Sequence, residues 1–304
     1  SLAVGCSAVI KPAEQTPLST IRLAELMREA GVPDGVINIV PGYGETAGKS
    51  IGVHNDIDTV SFTGSTEVGR MFMRYSGDSN LKGVGLEMGG KSPFIVLEDA
   101  VLDDDLIEHS AMSAFWNGGQ NCSANMRQLI AAPLVDEFTG RILERVKAFK
   151  LGDPLDPATD IGSMITKDHK EMVMSYIQSG TDEGAGMLMG GESEVPGYFI
   201  KPTVFENVTP KMKIAQEEIF GPVLGIMPVK NAKEALKIAS DTDYGLHATV
   251  FTQNIDQALH MARSLPCGTV SVNGFSEGDI KTPFGGYKQS GSLARDNGTE
   301  AIEQ

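Results

Sequence analysis

The chain has 304 residues, 41% of them hydrophobic and 21% charged, with a formal net charge of −15. These values fit a soluble globular protein of about two domains. The acidic balance, with no run of consecutive Lys or Arg, excludes nucleic acid and anionic membranes as partners. No apolar run approaches the ~20 residues that span a bilayer. His54, His109, His169, His247 and His260 form no HExxH or Cys/His cluster, so no metal site is expected. Cys6, Cys122 and Cys267, odd in number and widely spaced, point to a reducing, cytoplasmic setting and away from a disulfide framework.

In chain order, Ser1 to Gly5 shows no signal-peptide pattern and leads into an apolar strand over Cys6 to Ile10, so the chain reads as one that begins inside a domain. Thr16-Pro17 opens a helix that Gly31 closes, with Ile21, Leu23, Ala24, Leu26 and Met27 as its inward face. Strands follow at Val36 to Val40, Thr59 to Thr63 and Val84 to Glu87, with helices at Thr46 to His54 and Ser65 to Tyr75. The second half repeats the rhythm. Strands are expected at Phe94 to Leu97, Gln128 to Ala132, Val223 to Val229, Ala248 to Thr252 and Thr269 to Asn273. Helices are expected at Asp103 to Phe115, Leu134 to Phe149, 166–180, 231–240 and 254–264. The Gly-rich stretches 184–197 and 285–291 read as loops, and no internal repeat is present. Such alternation predicts an α/β fold with parallel sheets and a domain boundary near Gly89-Gly90.

Three segments compete as phosphate loops. Gly85 to Ser92 matches GxxxxGK[ST] at every position, but Pro93 and an apolar strand follow where the mechanism needs a helix. Gly42 to Ser50 ends in Gly-Lys-Ser but has Tyr43 where the first Gly is required. Phe62-Thr63-Gly64-Ser65 is better placed: a strand ends at Gly64 and Ser65 caps a helix whose amides suit a pyrophosphate.

Cys122 closes the run Phe115-Trp116-Asn117-Gly118-Gly119-Gln120-Asn121-Cys122, and Glu87 precedes it by 122 − 87 = 35 positions. A thiol attacks a carbonyl and holds the product as a thioester; a carboxylate then activates water to release an acid. A nucleophile, a base and a dinucleotide-type turn together suggest aldehyde oxidation.

Six segments in order carry a family resemblance: Lys11-Pro12-Ala13-Glu14, Phe62 to Ser65, Leu86 to Pro93, Gln120-Asn121-Cys122, Glu217 to Val223, and Pro283 to Gly291. On these residues the chain resembles the aldehyde dehydrogenase superfamily over nearly its whole length. Gly77 to Lys82 and Gly278-Asp279 resemble more narrowly the bacterial gamma-glutamyl-gamma-aminobutyraldehyde dehydrogenases. The resemblance implies a partial Rossmann-like dinucleotide-binding domain (1–89), an α/β catalytic domain (90–289) and a truncated C-terminal segment (290–304). It implies Cys122 as nucleophile and Glu87 as general base. Lys11 and Glu14 would hold the adenosine ribose, Gly64 and Ser65 the pyrophosphate, and Glu218 the nicotinamide ribose, with Phe220 near the ring. Trp116 and Phe284 would line the aldehyde tunnel. Because a carboxylate at Glu14 repels a 2′-phosphate, NAD is expected over NADP. A small-molecule aldehyde is the expected substrate, oxidised to a carboxylic acid, and the full-length form is expected to be a dimeric or tetrameric homo-oligomer. Glu277 or Asp279 is expected to attract an amine- or amide-bearing tail. The alternative is a truncated, non-catalytic fragment or partner subunit. It follows from two departures: the family's oxyanion-hole Asn lies in a segment that would precede Ser1, and Ser292 to Asp296 replaces a compact Gly-Arg-acid sequence.

Overall fold

The computed structural model describes residues 2–276, 278–292 and 295–303. The chain divides into two compact units: Ser1–Glu87 with Asp279–Pro283 and Ser292–Gln304, and Met88–Gly278 with Phe284–Gly291.

The first unit is built from two parallel strand pairs. β1 (Ala8–Ile10) pairs with β2 (Ile37–Ile39), and helix α1 (Pro17–Glu29) connects them. β3 (Thr59–Thr63) pairs with β4 (Gly83–Glu87), placing Thr63 opposite Glu87. Between the pairs, a π-helical turn over Gly44–Gly48 runs into α2 (Lys49–Val53). α3 (Thr66–Gly77) makes the crossover from β3 to β4, as parallel pairing requires. The core of this unit is small: Val60, Phe72 and Leu86 are buried, and Phe62 stacks on Phe72 at 4.8 Å. The inward face expected for α1 is only partly correct. Ile21, Ala24 and Met27 are half-buried, whereas Leu23 and Leu26 are exposed, because at 100° per residue positions 21, 24 and 27 share a stripe that 23 and 26 leave.

The second unit holds a seven-stranded sheet. Its strands are β5 (Pro93–Val96), β6 (Arg127–Ala131), β7 (Gly186–Glu192), β8 (Ile200–Glu206), β9 (Val223–Val229), β11 (His247–Phe251) and β12 (Thr269–Val272), in the order β12-β11-β5-β6-β9-β8-β7. All neighbours are parallel except β7 and β8. The two-residue strands β10 (Tyr244–Gly245) and β13 (Tyr287–Lys288) pair separately. Buried side chains alternate between faces. Phe94, Val96, Ile130 and Ile226 join one core with α4 (Asp104–Phe115) and α5 (Val135–Lys147). Ile95, Leu129, Val223 and Met227 join the other, with α6 (Lys167–Asp182), α7 (Lys213–Gln216), α8 (Ala232–Ser240) and α9 (Ile255–Ser264). A last helix, α10 (Glu300–Glu303), belongs to the first unit.

Two stretches read as loops contain strands. β7 lies within 184–197: its glycines sit at irregularities of register, with Gly190 and Gly191 at φ +111° and +86°, which an edge strand accommodates as a bulge. Tyr287–Lys288 supplies β13 within 285–291, and β8 spans residues for which the sequence reading proposed no element.

Candidate functional site

Six of the singled-out residues belong to the first unit, among them Asp279, whose Oδ1 accepts from Lys281 N–H at 2.7 Å. Lys11 and Glu14 occupy the turn after β1, where Lys11 Nζ donates to Pro12 O at 2.8 Å and to Glu14 Oε2 at 3.3 Å. The hydrogen bond from its own backbone amide, and then Lys11, hold the Glu14 carboxyl below the usual range, so it is ionised at neutral pH. The Lys11 stem passes over Gly48 at 3.7 Å from where a Cβ would stand. Gly64 and Ser65 are exposed at the start of α3, and Ser65 Oγ accepts from Val68 N–H at 3.3 Å, an N-cap that aims the helix's positive end outward. Glu87 is buried at the end of β4, and its carbonyl accepts from Gly64 N–H at 3.0 Å. The turn and Glu87 therefore stand at the same end of the parallel β3–β4 pair.

The rest belong to the second unit. α4 is capped by Asp103 Oδ1, which accepts from Leu106 N–H at 2.9 Å, and it ends at the exposed Trp116. The chain then turns through Asn117, Gly118 and Gly119, all at positive φ. Asn117 and Gln120 bond each other's carbonyls at 3.0 and 3.2 Å, and Gln120 Oε1 accepts from Ile165 N–H at 3.0 Å. Behind this braced turn Cys122 is half-buried, its Sγ 3.8 Å from Asn121 Oδ1 and 3.9 Å from Ser123 Oγ.

The Gly89-Gly90 pair packs against the Glu218 carboxylate and the Cys122 backbone carbonyl. Gly90 N–H donates to Glu218 Oε1 at 3.1 Å, and a Cβ on Gly90 would lie 2.5 Å from Cys122 O. A Cβ on Gly89 would overlap the Glu218 carboxylate outright. Burial raises the Glu218 carboxyl, while the Gly90 amide and Lys91 pull the other way. Phe220 is strained at φ +53°, and its carbonyl accepts from His169 Nε2–H at 2.6 Å with the rings edge to face. Phe284 is half-buried at the head of a segment anchored by Ser290, whose carbonyl accepts from Met88 N–H at 2.8 Å and whose Oγ accepts from Gly245 N–H at 3.0 Å.

The triphosphate-loop match has no helix behind it. β5 starts at Pro93, Lys91 O accepts from Arg127 Nε at 2.9 Å, and Lys91 Nζ and Ser92 Oγ are buried without a hydrogen-bond partner among the described residues. Burial, followed by repulsion from Arg127, lowers the Lys91 ammonium to about 7. Local pattern offers no signal for the contacts of His169, Asn125, His109 and His247, which sequence reasoning missed. Glu277, Leu293 and Ala294 lie outside the described residues. Among the described residues no group of three or more metal-binding side chains occurs, and no helix is long and apolar enough to cross a membrane.

A sequence model of the aldehyde dehydrogenase family matches residues 1–304. The chain is 50% identical over 293 residues to aldehyde dehydrogenase 1A1 of Gallus gallus, covering 96% of this chain and 57% of that protein. It is 44% identical over 305 residues to aminoacetaldehyde dehydrogenase of Pseudomonas aeruginosa, covering 100% of this chain and 61% of that protein. Among solved structures it is similar to a mutant of P. syringae AldA indole-3-acetaldehyde dehydrogenase in complex with NAD+ and IAA. There the TM-score is 0.97 at 44% identity, over 99% of this chain and 61% of that one. The P. aeruginosa aldehyde dehydrogenase KauB gives 0.96 and 44%, with the same coverage. The chain thus spans about six tenths of the length of the relatives it matches.

Proposed function

Because the chain belongs to the aldehyde dehydrogenase family, we propose that it oxidises an aldehyde to a carboxylic acid with NAD as oxidant. The observation that carries this reading is the half-buried Cys122 thiol behind a braced glycine turn, with the Glu218 carboxylate seated on the adjoining Gly89-Gly90 pair. Cys122 attacks the carbonyl carbon as its thiolate and holds the substrate covalently, first as a thiohemiacetal and then as a thioester. Glu87 takes a proton from the water that cleaves the thioester, releasing the acid and restoring the thiol. The positive end of α3 favours the developing and fixed negative charge of a phosphate at Gly64 and Ser65.

The donor set fits NAD. The ionised Glu14 would accept from ribose hydroxyls and repel a 2′-phosphate, with Lys11 beside it; Glu218 would accept from the second ribose, and Phe220 would stand near the ring. When bound, NAD supplies the hydride acceptor. Trp116 and Phe284 are assigned to the aldehyde approach. For the substrate class we favour an amine-bearing aldehyde, in keeping with the aminoacetaldehyde dehydrogenase relative and with the narrower resemblance at Gly77 to Lys82. Cytoplasmic residence and assembly as a dimer or tetramer complete the reading; fractionation and light scattering check them.

The test is an NADH burst at 340 nm with NAD and an aminoaldehyde, run beside Cys122→Ala. A burst that disappears with Cys122 supports the reading. A folded chain that binds NAD and gives no burst points instead to a non-catalytic fragment or partner subunit.

A further inference from the structure

We propose that Arg127 is a positioning residue: it ties segment 89–91 to the end of α8 and so presents the Glu218 carboxylate to the second ribose of NAD. The inference rests on the dehydrogenase reading and deepens it.

Arg127 opens β6 and pairs in register with Pro93, the first residue of β5. Alternation along β6 turns its side chain to the face of Leu129, the side on which α8 packs. Only 2% of the residue is exposed. Among the described residues its guanidinium has no ion-pair partner. A buried charge of this kind is costly unless something answers it. Backbone carbonyls do so here. Arg127 Nη1 donates to Ile238 O at 3.2 Å and Nη2 to Ala239 O at 3.0 Å, in the last turn of α8, where the helix dipole is negative. Burial lowers the guanidinium to about 10, so it stays charged at neutral pH.

The third bond leaves the helix: Arg127 Nε donates to Lys91 O at 2.9 Å. Other side chains also grip the end of α8. Lys288 Nζ donates to Ser240 O and Thr242 O at 2.8 Å each, and Gln216 Nε2 donates to Asp241 O at 3.0 Å. What Arg127 adds is the tie from this anchored end to Lys91 O. The planar fork permits it, because Nε and the two Nη nitrogens reach two segments at once, which a single ammonium nitrogen does not. One residue before Lys91, Gly90 N–H donates to Glu218 Oε1 at 3.1 Å, and Gly89 lies so close to the same carboxylate that a Cβ there would overlap it. Burial raises the Glu218 carboxyl, and the Gly90 bond is the first influence that lowers it. A segment that drifts would therefore give up both the aim of this carboxylate and part of its charge.

The test uses Arg127→Lys, which keeps a cation at the end of α8 and loses the fork. Hydrogen exchange at the Gly90 amide reads the segment with no ligand present. Calorimetry with NAD and with ADP, which lacks the second ribose, reads the consequence at Glu218. The variant is expected to raise Gly90 exchange and to weaken NAD binding by roughly tenfold each, on the scale of one lost buried hydrogen bond, with ADP affinity unchanged. Unchanged Gly90 exchange would overturn the proposal, and so would faster exchange with unchanged NAD affinity. An equal loss of NAD and ADP would also overturn it, since a general loosening of the fold gives that result. Should Arg127→Lys fail to fold, the unaltered chain carries the test: NAD, and not ADP, should slow exchange of the Arg127 Nε–H, and equal effects of the two would sink the idea. If the unaltered chain binds neither nucleotide while Gly90 exchange rises in the variant, the dehydrogenase reading falls and the hold of Arg127 on segment 89–91 stands.

Discussion

At Gly89 and Gly90 a missing side chain decides what the neighbours do: one admits the Glu218 carboxylate and the other lets Cys122 O approach. Glu87, just before them, tests the proposed division of labour. Glu87→Gln should retain the NADH burst, accumulate acyl-enzyme on Cys122 and slow steady turnover by roughly a hundredfold to ten-thousandfold. Intact-mass spectrometry during turnover checks this, and equal loss of burst and turnover would assign Glu87 another role. Lys91 makes a pH prediction. Its ammonium titrates at about 7 in the fold against 10.5 ordinarily, so below pH 7 the native state must carry a buried charge while the unfolded chain carries it freely. Between about pH 7 and 10.5 the unfolded state binds more protons, and stability therefore rises with pH on this account. Lys91→Met removes the effect. Urea titrations at pH 7 and 9.5 should show the wild type gaining on the variant at the higher pH; a constant difference would argue against the lowered ammonium.

α3 and α4 each start at a capping side chain, Ser65 and Asp103, and each delivers a candidate site residue at one end. For α3 the cap and the proposed phosphate contact fall on the same residue. Ser65→Ala should cost about 1 kcal/mol of stability, the usual worth of an N-cap, and weaken NAD binding at the same time. Denaturant titration together with NAD affinity by calorimetry checks both, and a stability loss with unchanged affinity would remove Ser65 from the cofactor site. The Trp116–Gly119 turn after α4 has no such freedom: Asn117, Gly118 and Gly119 all require positive φ, and a Cβ on Gly119 would collide with Gly221 O.

Neither unit is one continuous stretch of chain. Asp279–Pro283 and Ser292–Gln304 return to the first unit, where Ser292 Oγ accepts from Leu86 N–H at 3.0 Å and Ser292 N–H donates to Leu86 O at 3.1 Å. Ser292 therefore supports β4 from a distance of some two hundred positions in sequence. A chain ended at Gly291 should show faster amide exchange at Leu86, with β5 and β6 unaffected. Exchange mass spectrometry measures it, and unchanged protection at Leu86 would show that β4 holds without this support.

Sequence by itself determined what local chemistry controls. The strand at Thr59–Thr63 and the helix after Ser65 follow from alternation and a cap. The Cys122 turn follows from its glycines. The failure of the Gly85 to Ser92 match as a triphosphate loop follows from Pro93. Family membership was legible for the same reason, since its motifs are contiguous. Tertiary structure alone decided what depends on partners distant in sequence. Gly186–Glu192 is a strand because Ile200–Glu206 lies beside it, and Leu23 and Leu26 face outward because the stripe of α1 that packs is another one. Lys91 titrates low because the fold buries it and Arg127 repels its charge. His109 and His247 meet one loop because β11, β12 and α4 converge there. A hydrogen bond or a buried charge depends on what stands within a few ångströms, and only the folded chain sets that.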